Sequence, residues 1–473
     1  MIRRVILLGL LLWVPCAGAQ SLPELGDTSA AAISPADERR LGENIMHEIR
    51  RDPSYLDDPE VTEYVNRLGN RLAAHAESAR QEFEFFVVRD PQINAFALPG
   101  GFIGVNTGLI LAAQGESEVA GVLAHEVAHV TQRHIARMIN QQSKSQVLSI
   151  AALAVAILAA RSNSQVGEAA VALGQAGVLQ SQLNFTRENE READRVGLQM
   201  LDAAGFDSRG MASFFERLQR ATRAYDGGAP SYLRTHPLTF ERIGDIQNRI
   251  EGKPYRQVAD SLDFHLIRAK LRAESDAPRD AVTFFENSLA ERKFLSEAAS
   301  RYGLVASLLR TREFGRAQRE IPALRKTASP IIDSLVCRVA EAAGGADKAL
   351  ACYQEARRRY PGNRALFDGH VAQLLRTGHA TQALQMIDGR LQTQPEDSRL
   401  YKAQAQAYAA LGNRLLQHRA QGEAYVRTGE IGAAIEQMQI ALKTGEGDFY
   451  QMSAIEARLR ELRKLLPAQD RKR

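Results

Sequence analysis

The chain has 473 residues, too many for one ordinary domain, and its 45% hydrophobic and 25% charged residues are those of a folded globular protein. With 60 Lys and Arg against 56 Asp and Glu, the net charge of +4 is too balanced for nucleic-acid binding or for a strongly anionic surface.

Arg3 and Arg4, the apolar run from Val5 to Val14 and the small residues Ala17-Gly18-Ala19 follow the order of a secretory signal peptide. Cleavage after Ala19 is expected, so residues 1–19 are removed, Gln20 becomes the first mature residue and the protein is exported. Val14-Pro15 before Cys16 makes a poor lipobox, which argues against a lipid anchor. Loss of the signal takes away two Arg and no acid, leaving a net charge of +2. Cys337 and Cys352 remain, either as a disulfide that an export compartment permits or as two small core residues.

Residues 20–35 are small and polar and read as a flexible leader. A helix is predicted from Pro35, with Leu41, Ile45 and Ile49 on one face, and another from Pro59, with Val61, Tyr64, Val65, Leu68 and Leu72 together. Alternation over residues 82–88 predicts a strand. Ala95–Leu98 and Phe102–Val105 predict two more around the turn Pro99-Gly100-Gly101. Residues 147–160 and 166–179 are the most apolar stretches of the mature chain. They are short for a bilayer span, so a core helix or a movable active-site cover is expected, with peripheral membrane contact as the alternative. No run of 18 uncharged apolar residues follows the signal, and a soluble mature chain is expected.

The densest chemistry lies at His125-Glu126-Val127-Ala128-His129, within an apolar, Ala-rich, proline-free stretch. Residues four apart share a helical face, so His125 and His129 can offer two nitrogens to one metal, with Glu126 able to reach water on its open side. Zinc is the ion such a set suits, and a catalytic site needs a third protein ligand. A metzincin would place Gly and His where this chain has Gln132 and Ile135, so that class is excluded. Another common solution is a Glu on a later helix, and Glu188, Glu190, Glu192 and Asp194 are the acids that lie there. Glu190 and Asp194 lie four apart, which suits a ligand and an acceptor behind a ligating His. A solvated acidic helix start is the alternative.

Near Asp260 the pattern changes to a repeat. Ala349-Leu350 recurs as Ala383-Leu384, Pro361 as Pro395, Phe367 as Tyr401 and Gly378 as Gly412, always 34 residues on. That is the tetratricopeptide period: two antiparallel helices, a small residue where they cross and a proline ending the second. Such an array makes a groove for partners, whatever they are.

The segments Asn94-Ala95-Phe96-Ala97 with the following L-P-G-G-F-I, H-E-V-A-H at 125–129, E-R-E-A-D at 190–194 and T-H-P at 235–237 resemble one family. It is that of the exported and membrane gluzincin metalloproteases, which includes HtpX and the CAAX-prenyl endoproteases. The resemblance covers residues 36–250. It implies that His125, His129 and Glu190 bind one zinc ion and that Glu126 is the general base. It further implies that Asp194 orients a ligating His, and that His236 either stabilises the oxyanion or occupies the open position. Arg242 is a weaker candidate for the same cluster. Members related to HtpX carry membrane spans near their catalytic helices, whereas 147–160 is shorter, so a soluble periplasmic form is expected.

The expected fold is mostly α: a zincin-type metalloprotease domain of helices and a small β-sheet over 36–255, then an α-solenoid of tetratricopeptide repeats over 260–465. Joined to an export signal and a repeat half, the motifs resemble the periplasmic members of the family that act as protease and chaperone in outer-membrane protein assembly. The implied partners are unfolded or assembling outer-membrane proteins and their assembly machinery, held by the repeat groove, with no nucleic acid. The implied activity is latent endoproteolysis, the strand at Asn94 to Ala97 pairing with substrate. The rival expectation is a scaffold that rarely cleaves.

Overall fold

The computed structural model describes residues 33–76, 81–141, 187–224, 231–254 and 257–465. The expected signal peptide, the leader up to residue 32 and the apolar segments 147–160 and 166–179 lie outside the described residues. No helix among the described residues is long and apolar enough to cross a membrane.

Helix α1 (Pro35–Ile49) starts where the Ser34 side chain accepts the Asp37 amide, and α2 (Pro59–Ala73) where Asp58 accepts the amides of Glu60 and Val61. Both have proline in the first turn, where no N–H is needed. The apolar faces read from the sequence are the buried ones, including Ile45, Ile49, Val61, Tyr64, Val65, Leu68 and Leu72. Strands β1 (Glu84–Val88), β2 (Ala95–Leu98) and β3 (Phe102–Asn106) form one sheet in the order β1-β3-β2, with β1 parallel and β2 antiparallel to β3. The first strand begins two residues later than its alternation suggests, because the carbonyl of Glu82 already lies against the β2–β3 turn. In that turn Gly100 and Gly101 have φ of 78° and 88°, and a Cβ on Gly101 would sit 2.2 Å from the Glu82 oxygen, so only glycine fits.

After α3 (Thr107–Ala112) comes α4 (Glu116–Thr131), whose residues from Glu118 to Val130 are all buried. Around it pack α2, β2, α6 (Arg187–Ala203) and α7 (Arg209–Ala224), so α4 is the axis of this half. Helix α5 (His134–Gln141) packs on α4, and after the short α8 (Ser231–Thr235) helix α9 (Phe240–Glu251) packs on α6 and α7.

The rest is helical hairpins: α10 (Leu262–Ser275), α11 (Pro278–Ala290), α12 (Glu297–Arg310), α13 (Phe314–Leu324), α14 (Pro330–Ala342), α15 (Ala346–Arg359), α16 (Arg364–Arg376), α17 (Ala380–Leu391), α18 (Ser398–Ala410), α19 (Arg414–Arg427), α20 (Ile431–Lys443) and α21 (Phe449–Leu465). Pro361 and Pro395 follow the ends of α15 and α17, as the period requires. Gly378 and Gly412 do not lie where helices cross; they stand just past α16 and α18 with φ of 80° and 74°. There the next amides, His379 and Asn413, return to the carbonyls of Leu374 and Tyr408 at 2.8 and 3.0 Å. Gly344 and Gly429 end α14 and α19 in the same left-handed way. The 34-residue signal thus reports helix termination as well as packing.

The repeats bend round the first two helices. Lys270 of α10, 3% exposed, sits 2.5 Å from Asp58 and 2.6 Å from Glu60, and the Tyr302 hydroxyl of α12 donates to Glu60 at 3.5 Å. Further along the array Asn363 donates to Glu63, Arg399 pairs with Asp57, and Gly429 lies against His47. Part of the repeat surface is therefore taken by α1 and α2.

Cys337 of α14 and Cys352 of α15 are joined by a disulfide, the first of the two alternatives left open by the sequence. A bridge closing 15 residues stabilises by about 3 kcal/mol through the unfolded chain. Replacing both Cys by Ser should lower the calorimetric midpoint of the repeat half, and reductant should do the same to the parent protein. A midpoint indifferent to both treatments would mean that the pair is not bridged.

Candidate active site

Helix α4 lays His125 and His129 one turn apart on the face towards α6, their Nε2 atoms 3.0 Å from each other. Glu190, in the first turn of α6, places Oε2 3.4 Å from His125 Nε2 and Oε1 3.4 Å from His129 Nε2. The helices come this close because position 197 is glycine, where a Cβ would stand 3.0 Å from the His125 amide nitrogen. His236, just past α8, brings Nδ1 to 3.0 Å from Glu190 Oε1 and 3.4 Å from His125 Nε2. One ligand atom from each of His125, His129, Glu190 and His236 lies within 4.8 Å of the others, and all four residues are buried.

This donor set fits a divalent cation. Two imidazole nitrogens 3.0 Å apart can share a single proton, whereas a metal between them would satisfy both lone pairs and the carboxylate as well. Three buried imidazoles beside a buried carboxylate have no apolar purpose, and burying such groups is costly unless they are paired or bind metal.

Behind the cluster stand the expected supporting groups. Asp194 places Oδ1 3.0 Å from His125 Nδ1. Arg242 grips Asp194 with Nε and NH2 at 2.7 and 2.8 Å, and reaches Glu190 Oε2 at 2.6 Å. Arg242 is thus a full member of the site, oriented by its bond to the Pro237 carbonyl at 2.9 Å. Burial would raise Asp194, but the Arg242 hydrogen bonds outweigh it and hold the carboxyl below its usual range. Burial likewise opposes ionisation of Glu190, and the nearby His236 and the hydrogen bonds of the imidazoles reverse that, keeping it well below the usual value. Burial depresses His125, yet Asp194 and Glu190 overcome this and lift it to about 9, while burial takes His129 well below its ordinary value. The proton that Asp194 favours belongs on Nδ1 of His125, leaving Nε2 facing the cluster.

Glu126 lies on the other side of His236, its Oε1 3.5 Å from His236 Nε2. Both of its carboxylate oxygens are buried, and no side chain among the described residues hydrogen-bonds them; the Ala97 backbone lies close enough to favour the charged form. Burial raises its pKa, against the opposing charges of His236 and His125. A carboxylate so placed is suited to take a proton and give it back.

The strand proposed to meet substrate needs refinement. The Asn106 amide donates to the Asn94 carbonyl at 3.0 Å, directly opposite in the β2–β3 register. By the alternation of antiparallel pairs, Asn94, Phe96 and Leu98 spend their backbone groups on β3. Only Ala95 and Ala97 turn theirs to the free side of β2, an edge strand packed against α4. Asn94 and Phe96 therefore fall away as strand-pairing residues, since their amides and carbonyls face the wrong side.

Sequence reasoning missed His134, Arg137 and Tyr232, and named Glu192 only as a possible ligand. His134 Nδ1 stands 2.9 Å from His129 Nδ1, and its Nε2 stands 3.0 Å from Glu192, which Arg137 also holds at 2.9 Å. Tyr232 stacks on His236, ring centroids 4.7 Å apart, and the Tyr232 side chain is itself buried. A helical wheel cannot bring His134 to His129, because five residues along a helix is the wrong face. Tyr232 and His236 are four apart, a spacing that offers a weak signal.

The model of peptidase family M48 matches residues 59–250, which hold every group named above. The "Beta-barrel assembly-enhancing protease" of Escherichia coli (strain K12) is 31% identical over 456 residues, 94% of this chain and 92% of that protein. The chain belongs to the beta-barrel assembly-enhancing protease family. The family's putative member from Vibrio cholerae is 39% identical over 302 residues, 63% of this chain and 62% of its own. "Mitochondrial metalloendopeptidase OMA1" of Schizosaccharomyces pombe is 33% identical over 230 residues, 47% of this chain and 64% of its own. Membership in this family makes the chain a metalloprotease, with the four-residue cluster as its candidate metal centre.

The buried Arg242–Asp194 pair gives a direct test of how the family's site is held. Arg242→Leu should cost about 3–5 kcal/mol in urea denaturation, because Asp194 is left buried without its cation. Adding Asp194→Asn should recover part of that loss. Strictly additive losses would show that the pair is not coupled.

Proposed function

We propose that the chain is an exported zinc endopeptidase, latent in the arrangement described, that cleaves misfolded or stalled outer-membrane proteins and assists their assembly through its repeats. The observation that carries this reading is the cluster of His125, His129, Glu190 and His236 with Glu126 against it. We read residues 36–255 as the protease domain and 260–465 as the tetratricopeptide domain, and the periplasm as the compartment after cleavage behind Ala19. The name of the E. coli relative supports outer-membrane β-barrel assembly as the setting. Zinc suits a site of two His and one Glu, with His236 as a fourth donor. When bound, it supplies Lewis-acid polarisation of the scissile carbonyl.

The chain's own groups do the rest. Ala95 and Ala97 turn their backbone groups away from β3 to the side where an extended substrate would pair, Ala97 also meeting Glu126 there, and such pairing reads backbone rather than sequence and suits unfolded clients. Glu126 takes a proton from the attacking water and delivers it to the amine as the C–N bond breaks. Asp194 and Arg242 keep His125 and Glu190 in place. With His236 in the donor set, the position that water needs is filled by protein, and this favours latency as well as the second reading, a scaffold that acts mainly by holding partners. Moving His236 out would open the site, after which its imidazole could stabilise the oxyanion instead.

Glu126→Gln should retain metal and client binding while proteolysis of an unfolded outer-membrane protein drops by about 100-fold or more. Cleavage at the parent rate would remove Glu126 from the mechanism. His236→Ala should raise cleavage if His236 blocks the site; a fall of about 100-fold would assign it to oxyanion stabilisation instead.

A further inference from the structure

His129 turns Nε2 towards His125 and Glu190, at 3.0 and 3.4 Å, so its Nδ1 points out of the cluster. That atom meets His134 Nδ1 at 2.9 Å, and His134 Nε2 meets Glu192 Oε2 at 3.0 Å. Nothing in the proposed reaction uses these two residues. His134 is wholly buried, while the Glu192 carboxylate reaches the surface and is pinned there by Arg137.

Two ring nitrogens share a hydrogen bond only when one donates and the other accepts. If His129 gives its Nε2 lone pair to a metal, its proton is on Nδ1 and is donated to His134. His134 Nδ1 must then accept, so its own proton sits on Nε2 and points at Glu192. Every tautomer in the row is set by its neighbour, and the row ends on a carboxylate. We propose that His134 and Glu192 are positioning residues of the metal centre: an imidazole–imidazole–carboxylate chain that orients His129, as Asp194 orients His125 directly. This rests on reading the cluster as a metal site.

The backbone is shaped for this contact. In a continuous helix His134 would lie on a different face from His129. Arg133 instead takes φ of 52°, ending α4 and starting α5, so the chain turns and His134 comes back onto His129. A non-glycine residue in the left-handed region costs energy and persists where its surroundings hold it. Here the Arg133 guanidinium donates to the Ile33 carbonyl at 3.0 Å and faces Glu38 at 3.7 Å. Glu190, Glu192 and Asp194 then divide the work of one helix: a ligand, a distant anchor for His129 and a direct anchor for His125.

The test is zinc affinity of the full mature chain, measured against a competing chromophoric chelator, together with the visible spectrum of the cobalt(II) form. His134→Phe fills the space without an acceptor and should weaken zinc binding by about 10–100-fold and change the cobalt spectrum. His134→Asn can place an amide oxygen where Nδ1 lies and should restore most of the affinity. Glu192→Gln should weaken binding by a smaller factor, since it keeps an acceptor and loses the charge. Affinities within about twofold of the parent in both His134→Phe and Glu192→Gln would overturn the proposal. Equal losses in His134→Phe and His134→Asn would assign His134 to packing and also overturn it. Should His134→Phe fail to fold by circular dichroism, Glu192→Gln decides alone, and unchanged affinity there rejects the proposal. A parent chain that binds no zinc or cobalt would reject the metal reading itself, and this inference with it.

Discussion

Everything at the site depends on how closely α6 approaches α4. Gly197 lets the backbones touch beside His125, and that contact carries Glu190 and Asp194 to opposite sides of one imidazole. A Cβ at 197 would stand 3.0–3.1 Å from the backbone of Ala124 and His125, so the two helices would have to part by a few tenths of an ångström and loosen the contacts that the acids make with His125. Charges this deep are stable only as a set, since each would be costly alone. Arg242 is the keystone of the set, because it neutralises Asp194 and touches Glu190 while those carboxylates hold the two histidine-bearing turns.

The two halves share this economy of buried charge. Lys270 enters the contact between α10 and α2 and is met by Asp58 and Glu60, with the Tyr302 hydroxyl on the same carboxylate. The attraction of Asp58 and Glu60 lifts the Lys270 ammonium well above its ordinary value despite burial. Because Asp58 also caps α2, the first repeat is tied to the start of a helix that packs on α4. The repeats are thus anchored to the body that carries the candidate metal centre. The same packing removes part of the array from service as a free groove.

Much of the site could be read from the sequence, for physical reasons that differ by residue. His125, Glu126 and His129 were legible because a helix converts a four-residue interval into a shared face. Glu190 and Asp194 were legible for the same reason, once a third ligand was required. The PGG turn was legible because left-handed φ at Gly100 and Gly101 leaves a mark in composition. His134 was not, since it reaches His129 through a backbone break at Arg133, a residue type that gives no warning of positive φ. Asn94 and Phe96 were misassigned because alternation tells which side chains share a face, and hydrogen-bond direction follows from register with β3.

By itself the sequence determined the class of chemistry, the helical and strand segments, the 34-residue hairpin period and the acids that could complete a metal site. These are local matters, written in spacings of two, four and thirty-four residues. His236 and Arg242 were named through the motif resemblance, but tertiary structure decided that His236 lies among the ligand atoms, that Arg242 clamps Asp194, that Cys337 and Cys352 are bridged and that the repeats fold back over α2. Those groups are brought together from distant parts of the chain by packing around one buried helix, and no local spacing encodes a distance across a core.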